Sequence, residues 1–236
     1  MAKKYDVIIA GAGPAGLFAA LELSSSPGLN VLIIEKGKDI DSRSSLVSGV
    51  GGSGAFSDGK LTLSSHTGGR LEQYLGEEAA GAFIKYVDDI YIRFGAPEKI
   101  YGAGPGVDRI SRQAALSGLR LLPAPVRHMG TEHCRAVVKA MRDHLASRVD
   151  FRLETKVCQV IAEGGQVTGV ETEAGDRFDC RYLILAPGRE GADWLSTQAK
   201  RLNLTTHNNP VDVGVRVEVP AATMKSLTDE LYEAKL

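Results

Sequence analysis

The stretch Tyr5-Asp6-Val7-Ile8-Ile9-Ala10-Gly11-Ala12-Gly13-Pro14-Ala15-Gly16 decides how this chain is read. An apolar run rich in β-branched residues stops at a glycine turn, and the residues that follow, Leu17 to Ser25, have helical patterning. Strand, tight turn and helix in that order open a βαβ nucleotide-binding unit. In such a unit Gly11 permits the turn, Gly13 lets backbone approach a pyrophosphate, and Gly16 lets the helix pack on the strand. The positive end of the helix then faces the phosphates.

Working outward, Pro27-Gly28-Leu29-Asn30 is a turn, and Val31-Leu32-Ile33-Ile34 is a buried-type strand ending at Glu35. Glu35 lies 19 residues beyond Gly16, where a dinucleotide-binding unit places the acid that accepts hydrogen bonds from a ribose diol. That carboxylate would repel a 2′-phosphate, so the site suits FAD or NAD better than NADP. A βαβ unit that uses its glycines for packing alone leaves Glu35 unexplained.

The chain has 236 residues, 43% hydrophobic and 24% charged, which is enough for one large domain or two small ones. A formal charge of -1 gives no global attraction for nucleic acid or anionic lipid. No apolar run reaches the roughly 18 residues of a membrane span. The start, MAKKYDVIIA, lacks the core and cleavage site of a signal peptide, so a cytoplasmic protein is expected. Cys134, Cys158 and Cys180 are widely separated and form neither a redox pair nor a metal cluster. They are expected to be buried, reduced thiols, and no metal site is expected.

From Asp41 to Lys60 the chain reads DSRSSLVSGVGGSGAFSDGK, rich in glycine and serine with little apolar periodicity. A flexible linker placed this soon after Glu35 would cut the first βαβ unit off from its next strand. An ordered loop is therefore expected, with backbone N–H groups forming an anion-binding or ring-binding surface. Arg43 is a candidate partner for a phosphate. Lys60 is a candidate positive charge near a ring that becomes anionic on reduction.

GAGPAG after an N-terminal strand, Glu35-Lys36-Gly37 with Arg43, and GVGGSGAFSDGKL together resemble the FAD-binding portion of the two-dinucleotide-binding-domain flavoproteins. Within these, the chain is most similar to the uncharacterised FAD-dependent dehydrogenases whose loop carries GGxGxFSDGKL. The resemblance implies an α/β fold: a Rossmann-like, three-layer FAD/NAD(P)-binding domain of β-meander, parallel sheet and helices, carrying an inserted, partly helical segment. It implies that Gly11, Gly13 and Gly16, with Pro14 and Ala15 between them, contact the pyrophosphate. Glu35, with Lys36 and Arg43 nearby, serves the adenosine and phosphate side. Gly51, Gly52, Ser53, Gly54 and Lys60 serve the isoalloxazine side. The residue at Val157 binds adenine through its backbone, and Ala186 and Gly188 let backbone approach the cofactor. His66 follows the loop glycines, whereas flavoproteins with covalent FAD place their histidine before them, so non-covalent binding is expected.

Further along, LEQYLGEEAAGAFIKYVDDIYIRFG has helical spacing and closes on Gly95. The second glycine-rich turn, Gly102 to Gly106, has no clear strand before it and reads as a loop. Thr131 is a plausible N-cap for the helix that follows, and the resemblance places His128 near a substrate face. Residues 150–188 carry turn signals at Gly164-Gly165 and Ala174-Gly175-Asp176, as a three-stranded antiparallel meander does, followed by a buried strand at 182–186. A helix containing Trp194 and a strand at 211–219 come next. The expected organisation is an FAD-binding domain from 1–60 and 127–200, an insertion at 61–126, and the start of a substrate domain at 201–236. The resembled proteins run longer, so a fragment is expected.

The function these readings support is an FAD-dependent oxidoreductase acting on a small-molecule substrate; NAD(P)H, as electron donor, has no second complete fingerprint here and binds transiently or not at all. A tRNA-modifying flavoprotein and a non-catalytic nucleotide-binding protein are the alternatives. The acidic balance and the lack of Lys/Arg clusters count against the first, so no nucleic acid partner is expected. Lys60 and His128 are the catalytic candidates. Oligomeric state is not readable from the sequence.

Overall fold

The computed structural model describes residues 4–66, 69–122, 124–208, 213, 215, 218–232 and 234–235. Strand β1 (Lys4–Ala10) leads through the glycine turn into α1 (Pro14–Ser24), and β2 (Val31–Ile34) follows. β2 is buried at every position and β1 from Val7 onward, the continuous apolar run of strands covered on both faces. A 3₁₀ turn (Gly52–Phe56) precedes β3 (Lys60–Thr62). The helical stretch after it is two helices, α2 (Leu71–Leu75) and α3 (Glu77–Arg93), because Gly76 is extended at φ 78°, ψ 163°. α3 ends at Arg93 with Phe94 as its cap, and Gly95 follows at φ 99° as expected of a C-terminal glycine.

β4 (Ile100–Tyr101), α4 (Pro105–Leu116), β5 (Val126–His128) and α5 (Gly130–Leu145) come next. α5 starts at Gly130, so Thr131 sits inside its first turn and not at the cap. Then follow β6 (Asp150–Arg152), β7 (Val157–Glu163), β8 (Gln166–Thr172), β9 (Arg177–Leu185), α6 (Ala192–Arg201) and α7 (Ala221–Thr228). The strand expected at 211–219 falls largely outside the described residues.

The chain divides into two compact units, Met1–Ser57 with Cys134–Asn209, and Asp58–His133 with Pro210–Leu236. The first unit holds a six-stranded sheet in the order β6-β2-β1-β9-β8-β7. β6, β2, β1 and β9 run parallel, while β7, β8 and β9 form the antiparallel meander. One strand serves both parts. Arg177 to Asp179 of β9 pair with β8, and Asp179 to Leu185 pair with β1.

Residues 182–185 of β9 are therefore not the fully buried strand expected: Tyr182 is 55% exposed and Leu183 to Leu185 are half-buried. Their partner on one side is β1, and β8 has left them by Asp179. The core of this unit lies under β1 and β2, where Ile8, Ile9, Leu17, Leu32 and Ile33 are fully buried. Each such side chain contributes roughly 1.5–3 kcal/mol of burial. At the sheet edge, α6 covers β7 with polar groups. Trp194 Nε1 donates to the Cys158 carbonyl at 2.8 Å, Gln198 bonds Cys158 O and Val160 N at 3.2 and 3.1 Å, and Arg201 bonds Val160 O.

The second unit holds the three-stranded antiparallel sheet β3-β5-β4. Arg127 in its central strand is buried and grips Asp88 of α3 with two hydrogen bonds, 2.5 and 2.7 Å. The Asp88 carboxylate holds the Arg127 guanidinium above its ordinary pKa, against the opposing effect of burial. Ile110 and Ala114 of α4 pack with Leu121 and Leu231, fastening the C-terminal segment to α4.

Candidate nucleotide-binding site

The carboxyl ends of β1, β2 and β9 meet at the glycine turn. Gly11 N donates to Ile34 O at 2.8 Å, and Ala186 N donates to Ala10 O at 2.9 Å. Gly11 stands at φ 111°, and a Cβ on it would run into the Ala186 carbonyl. Two independent reasons thus demand glycine there. A Cβ on Gly16 would strike the Gly11 carbonyl, so this glycine sets the close approach of α1 to the turn. Gly13 is different: its φ is -72°, and a Cβ would find Gly52 Cα at 3.9 Å. No neighbouring atom forces glycine at 13, so the backbone there stays open to close approach.

α1 begins at Pro14 with no side-chain cap and no acidic residue in its first turn, and Pro14 and Ala15 are exposed. Its first N–H groups and dipole are left facing outward, which is the ready-made arrangement for an anion.

Glu35 is 6% exposed and lies beside that turn. Oε2 accepts from Ala12 N at 2.9 Å, and Oε1 accepts from Gly37 N at 2.8 Å and Gly49 N at 2.9 Å. A carboxylate offers about four lone-pair positions, so roughly one remains for a ribose hydroxyl. Glu35 also ties the glycine/serine loop to the glycine turn, a structural duty that its spacing did not announce.

The loop is ordered around Arg43. Its guanidinium donates to the carbonyls of Ser45 at 2.9 and 3.1 Å, Val50 at 2.7 Å and Gly52 at 2.8 Å, and lies 4.6 Å over the Phe56 ring. Burial draws its pKa below the usual arginine range, partly offset by Glu35. Nε, Nη1 and one N–H of Nη2 are thus held by loop carbonyls, which leaves one Nη2 N–H for the phosphate partner expected of Arg43. The loop glycines pack on the chain itself. Gly51 at φ 88° has Val138 Cγ1 and Ala55 Cβ 2.7 Å from its Cβ position, Gly52 at φ 53° faces Gly13, and Gly54 faces Pro14. Ser53 is exposed between them.

Beyond the turn lies a cleft of about 130 Å³ walled by Ala10, Gly11, Ile34, Val157, Pro187 and Trp194. Val157 opens β7, paired with Thr172, and a register shift follows it before Gln159. The hydrogen bond from Trp194 to Cys158 O fixes the indole in the wall. Lys36 pairs with Glu190 at 2.8 Å along the same cleft, with both side chains more than a third exposed. Gly188 stands at φ 65° with open space around its Cβ position, while Ala186 N donates to Ala10 O and its carbonyl lies against Gly11. Sequence reasoning missed Trp194 and Glu190; a single tryptophan on an amphipathic helix was the available signal.

Lys60 and His128 belong to the second unit, directly opposed in β3 and β5. The second glycine turn does have a strand before it, the two-residue β4, and a helix after it. A Cβ on Gly106 would strike the Glu230 carboxylate, so the start of α4 already faces an anion of its own chain. That occupancy fits a loop reading. Cys134 and Cys180 are buried and Cys158 half-buried, all three free, and burial pushes the Cys180 thiol up to about 11. Among the described residues no group of three or more His, Cys, Asp or Glu is arranged to hold a metal ion. No helix among them is long and apolar enough to cross a membrane.

The comparisons with known proteins agree with this geometry. A protein of Clostridium beijerinckii (strain ATCC 51743 / NCIMB 8052), named only "Uncharacterized protein", is 28% identical, covering 92% of this chain and 37% of its own length. The chain therefore spans little more than a third of that relative. Among solved structures, the 3-ketosteroid-Δ4-(5α)-dehydrogenase of Rhodococcus jostii RHA1 is similar with a TM-score of 0.52 at 20% identity, covering 78% of this chain and 46% of that one. The L-proline dehydrogenase of P. horikoshii is similar with a TM-score of 0.51 at 15% identity, covering 88% and 58%. At these identities the likeness is one of fold, a Rossmann-like α/β fold. The profile of the family DAO, FAD dependent oxidoreductase, matches residues 6–211. With that match running through both parts of the six-stranded sheet, the chain belongs to the FAD dependent oxidoreductase family.

Proposed function

We propose that this chain binds FAD non-covalently as the nucleotide-binding part of a dehydrogenase-like oxidoreductase acting on a small molecule. The observation that carries the reading is the uncapped start of α1 at the carboxyl ends of β1 and β2, beside buried Glu35 with about one acceptor position left. Gly13, Pro14, Ala15 and Gly16 would hold the pyrophosphate at the α1 amides, and Glu35 one ribose hydroxyl. Val157 and Trp194 would receive the adenine in the apolar cleft, with Lys36 and Glu190 paired along it. Gly51, Gly52, Ser53 and Gly54, held by Arg43, continue the chain toward Lys60, which is assigned to the flavin side by its place in the loop. The bound flavin would supply two-electron chemistry, and the chain supplies position, exclusion of water and charge. NAD(P)H enters this reading as a transient electron donor.

Trp194 is the sole tryptophan, so it reports directly on its own cleft. Titration of the purified protein with FAD should quench its fluorescence saturably while the protein takes on a yellow visible spectrum. ADP should quench in the same way, and FMN, which lacks the adenosine, should not. A colourless protein whose fluorescence is indifferent to FAD overturns the proposal.

A further inference from the structure

β7 lies at the edge of the six-stranded sheet, so the N–H and C=O groups on its outer side need partners that are not strands. Its inner side is irregular too. Val157 pairs with Thr172 and Gln159 with Glu171, which leaves Cys158 as an extra residue, a bulge where the strand meets the cleft. The Cys158 thiol donates to the Glu171 carbonyl at 3.3 Å, and the carbonyl of Cys158 is turned to α6.

Trp194, Gln198 and Arg201 of α6 answer that edge at i, i+4 and i+7, one face of a helix. Trp194 Nε1 and Gln198 Nε2 both donate to Cys158 O, at 2.8 and 3.2 Å. Gln198 Oε1 accepts from Val160 N at 3.1 Å, and Arg201 donates to Val160 O. A carboxamide carries the same donor and acceptor as a peptide group, so Gln198 stands in for a residue of an adjoining strand. Its orientation is fixed by chemistry. Arg201 also donates to Oε1, at 3.2 Å; Arg201 and Val160 N can only donate, whereas Cys158 O can only accept. Gln198 is 5% exposed, so an apolar side chain in its place would strand Val160 N and leave Cys158 O to Trp194 alone.

The bulge joins this clamp to the cleft. Val157, one residue before Cys158, and Trp194, one turn before Gln198, both wall the space of about 130 Å³ beside the glycine turn. The Cys158 carbonyl is the atom that Trp194 and Gln198 both grip. A planar base fits a cleft only when its walls keep a fixed separation, and the clamp ties the two walls to each other.

We propose that Gln198 is a positioning residue for the adenine end of the cofactor: it holds the Cys158 bulge so that Val157 and Trp194 receive a purine in preference to a smaller base. The proposal rests on the FAD reading above and adds to it a source of base selectivity that acts through the backbone of β7.

The test compares ADP with UDP, which share the ribose and diphosphate and differ in the base, by calorimetric titration of the whole protein. The parent should bind ADP more tightly than UDP. Gln198→Met, close in volume and without a polar group to pair, should weaken ADP by about tenfold and UDP by less than about twofold. Gln198→Glu keeps an oxygen for Val160 N and Arg201 but turns an acceptor toward Cys158 O. It should lose the preference near neutral pH, and it keeps the test decisive where Gln198→Met does not fold. Val137→Ala in α5 empties a buried site and lowers stability, and it should leave the preference as in the parent, which separates positioning from stability. A parent that binds ADP and UDP equally, an unchanged ADP-to-UDP ratio in the folded Gln198 variants, or an equal fall in Val137→Ala overturns this proposal, while FAD uptake by the parent leaves the cofactor reading standing. A parent that binds neither FAD nor ADP overturns the cofactor reading, and this proposal with it.

Discussion

Two turns in this chain begin with the same four residues, Gly-Ala-Gly-Pro, at 11–14 and at 102–105, and each starts a helix with proline in its first turn. They differ in what precedes the glycines and in what faces the helix. The first follows a seven-residue strand buried in a parallel sheet, and α1 has no acidic residue in its first turn. The second follows a two-residue antiparallel strand. Asp108 lies in the first turn of α4, and the Glu230 carboxylate presses on Gly106, 3.5 Å from Arg109. Glycine spacing therefore sets the shape of such a turn. Whether its amides stay available to a ligand is decided by the charges that the rest of the fold brings to them.

The comparison is broken most directly by adding one methyl group to each turn. Gly11→Ala meets both a positive φ and the Ala186 carbonyl, whereas Gly104→Ala meets a positive φ of 97° and open space. The first should cost about 3 kcal/mol or more, with loss of FAD uptake, and the second about 1 kcal/mol, both read from urea unfolding. Equal losses would mean that the two turns are equally constrained.

Next in size is Glu35→Gln, which replaces an acceptor of three backbone N–H groups with an amide that turns a donor toward some of them. About 2–3 kcal/mol of stability should go, and FAD affinity should fall by more than about tenfold. Arg43→Met should cost about 2 kcal/mol by stranding the carbonyls of Ser45, Val50 and Gly52, and limited proteolysis should then cut within residues 44–52. Arg43→Lys should not restore resistance, because one ammonium cannot reproduce the planar fork. The smallest effect is that of Glu230→Gln, which removes the charge before α4. About 0.3–1 kcal/mol should be lost, less at high salt, with FAD affinity unchanged. A change in FAD affinity would show that the two turns are linked.

The first βαβ unit was legible because it is local: a β-branched run, glycines at fixed offsets and an acid at the end of the next strand all lie within 31 residues, Tyr5 to Glu35. The meander hairpins were legible for the same reason, through Gly164-Gly165 and Ala174-Gly175-Asp176. What was not legible depends on distant partners. Nothing near Arg43 announces that most of its donors will turn back on carbonyls up to nine residues later. The break at Gly76 hid inside a periodic helical stretch, because apolar spacing continues across it. β4 and β5 are too short to show a period of two, so the sheet that carries Lys60 and His128 was missed and its residues were read as loop. The half-exposed end of β9 reflects where β8 stops pairing, which is a property of register and not of composition.

The pairing of β1 with β9 also has a consequence for how the protein is made. Ala10 meets Leu185, 175 residues later in the chain, and the Gly11 turn is closed against Ala186. At a synthesis rate of about 5–20 residues per second, roughly 9–35 seconds pass between emergence of one edge of this contact and emergence of the other. Throughout that interval the β9 edge of Val7 to Ala10, an apolar strand buried in the finished fold, lacks its partner. The two edges of this contact thus leave the ribosome far apart in time, and closing the turn at Gly11 waits on β9.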